Sequence, residues 1–180
     1  GKWHDKSNFW ANHGNWGNAL PNGGYQKLHP VEGAPANVLP EWLQQAGYHT
    51  AYIGKYLNDY GTRNSTEVPP GWNEWYGLST PVPLYFDFEL TKKPAGASDA
   101  QVVRYGAQTG DNSECDFHPE DGVCYQTDVL ARKAVDFISR RGSSTEPFFL
   151  TVGFYAPHDD QTAPKGPPSA PRHGGRFRHV

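Results

Sequence analysis

Two stretches of this chain carry regular apolar spacing, and polar, turn-rich sequence surrounds them. In NVLPEWLQQAG, Leu39, Trp42, Leu43 and Ala46 recur at the intervals of one helical face. Asn37 is the expected N-cap, Pro40 falls in the first turn where its missing N–H is tolerated, and Gly47 is the expected stop. HTAYIG, residues 49–54, then reads as a short buried strand with Lys55 at its tip. The second stretch, TDVLARKAVDFISRRG, aligns Leu130, Ala134, Phe137 and Ile138 in one stripe. Thr127 is its expected N-cap, with Asp128 at the positive end of the helix dipole and Arg140 and Arg141 at the negative end. PFFLTVGF follows as a nearly unbroken apolar run, the pattern of a strand covered on both faces, and it leads into YAPHDD.

The same arrangement therefore occurs twice: amphipathic helix, short loop, apolar strand, polar residue just past the strand. Helix and strand alternating in this way predict an α/β fold, a mostly parallel sheet flanked by helices with long loops. Parallel strands end on one edge, and that edge is where open α/β sheets bind ligands. Lys55 and His158 are thus expected to be neighbours. A compact cation and an imidazole together suit an anionic substrate with a basic leaving oxygen, whereas each alone reads as a solvated lysine and a turn histidine.

The remaining sequence divides the chain into a loop-rich arm over residues 1–36, a central part over 37–160 and a polar segment over 161–180. From Asp59 to Gln126 turn residues dominate; LYFDFELTKKPAG is the expected hairpin, and Trp72, Trp75 and Tyr76 of GWNEWYG are expected to anchor a loop over the sheet edge. His173 reads as a surface histidine. Composition narrows the partners. A formal charge of −3 over 180 residues gives no footprint for nucleic acid or an anionic membrane, and no apolar run is long enough to span a bilayer. No methionine is present, so the chain is expected to be a processed product, an excised domain or a fragment. Cys115 and Cys124 bracket a polar loop, which favours a disulfide over a metal site. Asn64 opens the glycosylation sequon Asn64-Ser65-Thr66. Together these point to an oxidising compartment: secreted, lysosomal or periplasmic.

LPEWLQQAGYHTAYIGKYLNDY, PPGWNEWYGL, YQTDVLARKAVDFI and PFFLTVGFYAPH together resemble the formylglycine-dependent sulfatases, in the N-acetylglucosamine-6-sulfatase and fungal-type arylsulfatase branch. The resemblance covers about residues 20–160. It implies a partial alkaline-phosphatase-like fold that hydrolyses the sulfate monoesters of sulfated sugars or aryl sulfates. It assigns sulfate binding to Lys55 and sulfate contact or leaving-group assistance to His158. Many relatives carry a second histidine two residues past the lysine; here Leu57 stands there, which leaves Asn58 as the candidate substitute. The resemblance also implies calcium and a formylglycine made from the cysteine of C-x-P-x-R. Cys115 is followed by DFHP and Cys124 by YQTD, so neither fits, and the paired acidic calcium ligands are not at their places. The chain is therefore expected to be the middle of a sulfatase, inactive without the remainder of the domain. A truncated glycan-binding product, and a phosphate or phosphonate ester hydrolase on the same fold, are the alternatives.

Overall fold

In the computed structural model, which describes residues 24–29, 37–79, 84–106, 115, 123–159 and 166–176, HTAYIG is the pivot of the sheet. This strand, β1 (His49–Gly54), is buried on both faces beyond His49 and lies between two neighbours that run parallel to it. On one side is β2 (Glu74–Leu78), with Tyr52 opposite Trp75 and Ile53 opposite Tyr76. On the other is β5 (Phe148–Gly153), with Ile53 opposite Val152 and Gly54 opposite Gly153. The sheet continues through β3 (Phe88–Lys93), antiparallel to β2, and β4 (Gln101–Tyr105), antiparallel to β3, in the order β4-β3-β2-β1-β5. Reversed twice, β4 points the same way as β1, β2 and β5, so only β3 runs against the rest. The sheet is mostly, not wholly, parallel.

Alternation along the strands builds two cores. Ile53, Tyr76, Leu78, Phe88, Leu90 and Tyr105 pack against Val129 and Leu130 of α3 (Gln126–Arg141). The opposite face is aromatic: Tyr52 and Trp75 meet Tyr25, Tyr60 and Trp72. Tyr25 comes from a short helix, α1 (Gly24–Leu28), and α2 (Leu39–Gln45) packs nearby, its first turn pressed on Gly71 so closely that no β-carbon would fit there. Trp75 is wholly buried and donates from its indole N–H to the Tyr60 hydroxyl at 2.7 Å. Such a side chain contributes roughly 1.5–3 kcal/mol through burial, provided its polar atom is satisfied.

Several expectations are corrected. GWNEWYG is no loop over the edge: its second half is β2, a fully buried central strand. PFFLTVGF is half-buried rather than covered, because among the described residues β5 has a strand on one side only. Leu39 and Trp42 point outward, about half exposed, as does Ile138; their helices dock through Pro40 and through Val129, Leu130 and Phe137 instead. Asn37 is not the N-cap of α2. That position is Val38, while the Asn37 side-chain oxygen accepts the Trp42 indole N–H at 2.9 Å. Helix α3 begins one residue before Thr127, capped by Tyr125, and Asp128 gains a two-pronged ion pair from Arg172 at 2.7 and 2.8 Å. The arm contains α1, so it is not wholly irregular; the rest of residues 1–36 lies outside the described residues, apart from His29. The hairpin exists but pairs FELTKK with QVVRY rather than closing within LYFDFELTKKPAG.

At the N-terminal end of β2, Glu74 is completely buried and accepts from four donor atoms on three residues. Arg140 supplies two N–H groups at 3.2 and 2.8 Å, the Tyr76 hydroxyl one at 3.1 Å, and the His49 ring lies at 2.9 Å. Burial alone would raise this carboxyl, but the bonds from Arg140, His49 and Tyr76 together hold it below the usual carboxylate range. With the folded value depressed, its contribution is present above the unfolded value of about 4.3 and is lost as pH falls through the folded one. Glu74→Gln is therefore expected to cost about 2 kcal/mol at pH 7 and to flatten the acid-side loss of stability. Urea denaturation at pH 7 and on the acid side measures both, and an unchanged acid slope contradicts the assignment.

Candidate functional site

The candidate site lies at the C-terminal tips of β1 and β5, which pair in parallel. Beyond Gly54 the chain leaves the ladder, with φ of 105° at Gly54, but the Lys55 N–H still donates to the Gly153 carbonyl at 2.7 Å. A β-carbon on Gly54 would lie 2.1 Å from that same carbonyl oxygen, so both the turn and the close approach require glycine. Lys55 emerges with its ammonium donating to the Tyr56 carbonyl at 3.2 Å, and the Tyr52 hydroxyl donates to the Lys55 carbonyl. Burial pushes the Lys55 amine below the ordinary lysine range, with Asp59 opposing the shift.

From the adjacent strand the chain continues through Phe154 and Tyr155 to a cis Ala156–Pro157 bond and His158. The His158 N–H donates to the Tyr155 carbonyl at 2.9 Å, and its ring stacks on Tyr155 with centroids 4.7 Å apart. The Tyr85 hydroxyl holds the His158 carbonyl at 2.7 Å. Nδ1 lies 2.9 Å from the Asp159 carbonyl, and a carbonyl only accepts, so Nδ1 carries the hydrogen. Nε2 is left as the nitrogen that can exchange a proton with a ligand. The ring is exposed, unlike the Lys55 side chain.

The sequence-derived pair thus leaves neighbouring parallel strands at one sheet edge. Asn58 lies on the segment that follows Lys55, and its carbonyl receives the Tyr25 N–H at 2.7 Å. Leu57 packs into the aromatic core. Cys115 and Cys124 form a disulfide, so neither thiol is available as a nucleophile or ligand precursor. The Asn64 side-chain oxygen accepts from the Thr66 N–H and hydroxyl at 3.0 and 2.9 Å. His173 is exposed, in a 3₁₀ turn over Pro171–His173. Among the described residues no three His, Cys, Asp or Glu side chains cluster to hold a metal, and no helix is long and apolar enough to cross a membrane. A cleft of about 350 Å³ lined by Tyr76, Lys92, Lys133, Asp136 and Arg140 lies on the α3 face, where Arg140 is already bound to Glu74. It is separate from the strand tips.

Sequence reasoning missed the tyrosines that hold the pair in place. Tyr52 was legible only as an apolar strand position, and Tyr85 reaches His158 across 73 residues of sequence.

Comparison with known proteins decides the family. The Sulfatase family profile matches residues 10–178. The chain belongs to the Sulfatase family. It is 35% identical over 138 residues to an arylsulfatase of Volvox carteri, covering 77% of this chain and 18% of that protein. It is 32% identical over 148 residues to the N-acetylglucosamine-6-sulfatase of Homo sapiens, covering 80% of this chain and 22% of that protein. An extracellular sulfatase homologue of Drosophila melanogaster is 30% identical over 141 residues, 77% of this chain and 10% of that protein. The chain thus spans about a fifth or less of the length of these sulfatases. Calcium and formylglycine are general to the family, but the described residues offer no ligand cluster for the one, and the disulfide rules out both cysteines for the other.

Gly54→Ala is expected to destabilise the chain by at least about 2 kcal/mol, since positive φ and backbone collision act together. Thermal denaturation beside Gly96→Ala checks this: Gly96 also has positive φ, but a β-carbon there meets nothing within 4 Å, so its loss should be the smaller. Equal losses at the two sites would show that the close approach to Gly153 is unimportant.

Proposed function

We propose that this chain is the substrate-binding centre of a sulfuric ester hydrolase acting on sulfated sugars or aryl sulfates. Lys55 holds a sulfate oxygen, and His158 protonates the leaving oxygen. The observation that carries this reading is the hydrogen bond joining the Lys55 N–H to Gly153, which makes the two strand tips one edge. Cleavage breaks the bond between sulfur and the bridging oxygen while a new bond forms from sulfur to the nucleophile, which lies outside this chain, and negative charge gathers on the bridging oxygen as the sulfuryl group passes across. A fixed ammonium on a non-bridging oxygen stabilises the group in transit. With its ring doubly protonated, His158 passes the Nε2 proton to the bridging oxygen and releases the alcohol or phenol, keeping the Nδ1–H on the Asp159 carbonyl, a contribution of about 10²–10⁴-fold. Asn58 is assigned to the substrate side of the same segment.

The nucleophile and the calcium ligands are assigned to the remainder of the sulfatase domain, which this chain needs for turnover. Residues 37–160 are read as the central part of that domain. An oxidising compartment, with a glycan on Asn64, agrees with the disulfide and with the extracellular relative. A glycan-binding product without catalysis is the weaker reading, because Trp72 and Trp75 are buried in the core and offer no surface platform.

Lys55→Ala in the complete protein is expected to lower aryl sulfate turnover by about 10²-fold or more, and His158→Gln by about 10²–10⁴-fold. Parallel assays with aryl sulfate and aryl phosphate read both the loss and the ester preference. Unchanged turnover in either variant refutes that residue's role, and a preference for phosphate moves the reaction to the phosphate branch.

A further inference from the structure

We propose that Tyr52 is a positioning residue for the Lys55 amine, acting through the hydrogen bond from its hydroxyl to the Lys55 carbonyl. Tyr52 lies three residues before Lys55, with its ring stacked on Trp75 at 5.0 Å and edge-on to Trp72 and Tyr56 at 5.3 and 4.9 Å. Phenylalanine would satisfy all of that packing. A buried hydroxyl is costly unless it is bonded, and this one is bonded to the first residue beyond the strand. At that point the chain has turned out of the ladder at Gly54, so the Lys55 carbonyl has no strand partner and the tyrosine supplies one.

The opposite strand makes room for the contact. A β-carbon on Gly153 would fall 2.6 Å from the Lys55 oxygen and 2.8 Å from the Tyr52 hydroxyl. Gly153, the Tyr52 hydroxyl and the Lys55 carbonyl therefore form one tight junction that fixes where the lysine stem begins. The amine end is also within reach of Tyr52, because the carbonyl that receives Nζ belongs to Tyr56, whose ring packs against Tyr52 and Trp75. Asp59, on the same segment, is the charge that acts on Lys55, while Gly153 presents only backbone from the neighbouring strand. Without the hydroxyl the junction loosens, and the partly buried amine swings further towards water.

The consequence for catalysis rests on the reading of Lys55 as the sulfate-binding cation; the positioning itself is tested without it. In the full-length protein, lysines are dimethylated with ¹³C-formaldehyde and the Lys55 signal, identified by its loss in Lys55→Arg, is titrated by NMR. Tyr52→Phe is expected to raise the Lys55 midpoint towards the ordinary lysine value, and to lower aryl sulfate kcat about tenfold. An unmoved midpoint overturns the proposal, whatever happens to kcat or Tm. If the midpoint rises while kcat holds, the positioning stands and the sulfate role of Lys55 falls. Should Tyr52→Phe fail to fold, the unsubstituted protein decides through the Tyr52 Cζ resonance in mixed H₂O and D₂O. Two resolved isotope lines are expected from a slowly exchanging, bonded hydroxyl, and one averaged line overturns the proposal.

Discussion

The close approach of Gly54 and Gly153 is the constraint on which the site depends. Parallel strands bring their C-terminal ends to one edge. Here both facing positions are glycine, the chain turns at Gly54 where only glycine is at ease, and the Lys55 N–H just past the turn still bonds to Gly153. The lysine is thus held by backbone geometry before any of its side-chain contacts form. The same crowding explains why Gly153 cannot carry a side chain: the space is occupied by the Lys55 carbonyl and the Tyr52 hydroxyl.

The two ends of the sheet are built on different physics. At the C-terminal edge, aromatic side chains fix backbone: Tyr52 takes the Lys55 carbonyl, Tyr85 that of His158, and Tyr155 that of Asp159. A tyrosine suits this task because its ring is anchored by packing while its hydroxyl reaches out of the core. At the N-terminal end, one buried carboxylate gathers His49, Tyr76 and Arg140, and so ties β1, β2 and α3 together. That network lies away from the strand tips, which leaves them free to carry polar groups whose own contacts add little to stability. A partly buried amine such as Lys55 is unfavourable in itself. It persists where the surrounding structure holds it.

How much of this was legible depends on the range of the interactions. The helices, β1 and β5 follow from local periodicity, and the parallel pairing of the two strands from the alternation of helix and strand, and the structure has them. Strand β2 was not legible. EWYGL follows directly on the turn residues of PPGWN, and a glutamate in mid-core makes no sense until Arg140 is known to bind it from 66 residues away. For the same reason the sequence implied buried outer faces for Leu39, Trp42 and Ile138, since periodicity marks an apolar stripe without saying how much of it another element covers. The tyrosines around the site were equally opaque, because a strand tyrosine reads as core until its hydroxyl has a partner.

The central claim is that two strand tips, joined by the Lys55–Gly153 hydrogen bond, form a single anion site. Its most direct test is a crystal structure of the full-length protein with a slowly hydrolysed sulfate ester. The account predicts a sulfate oxygen within about 3.2 Å of Lys55 Nζ, with the bridging oxygen turned towards His158 Nε2. A sulfate bound elsewhere, with both side chains facing only water, would contradict it.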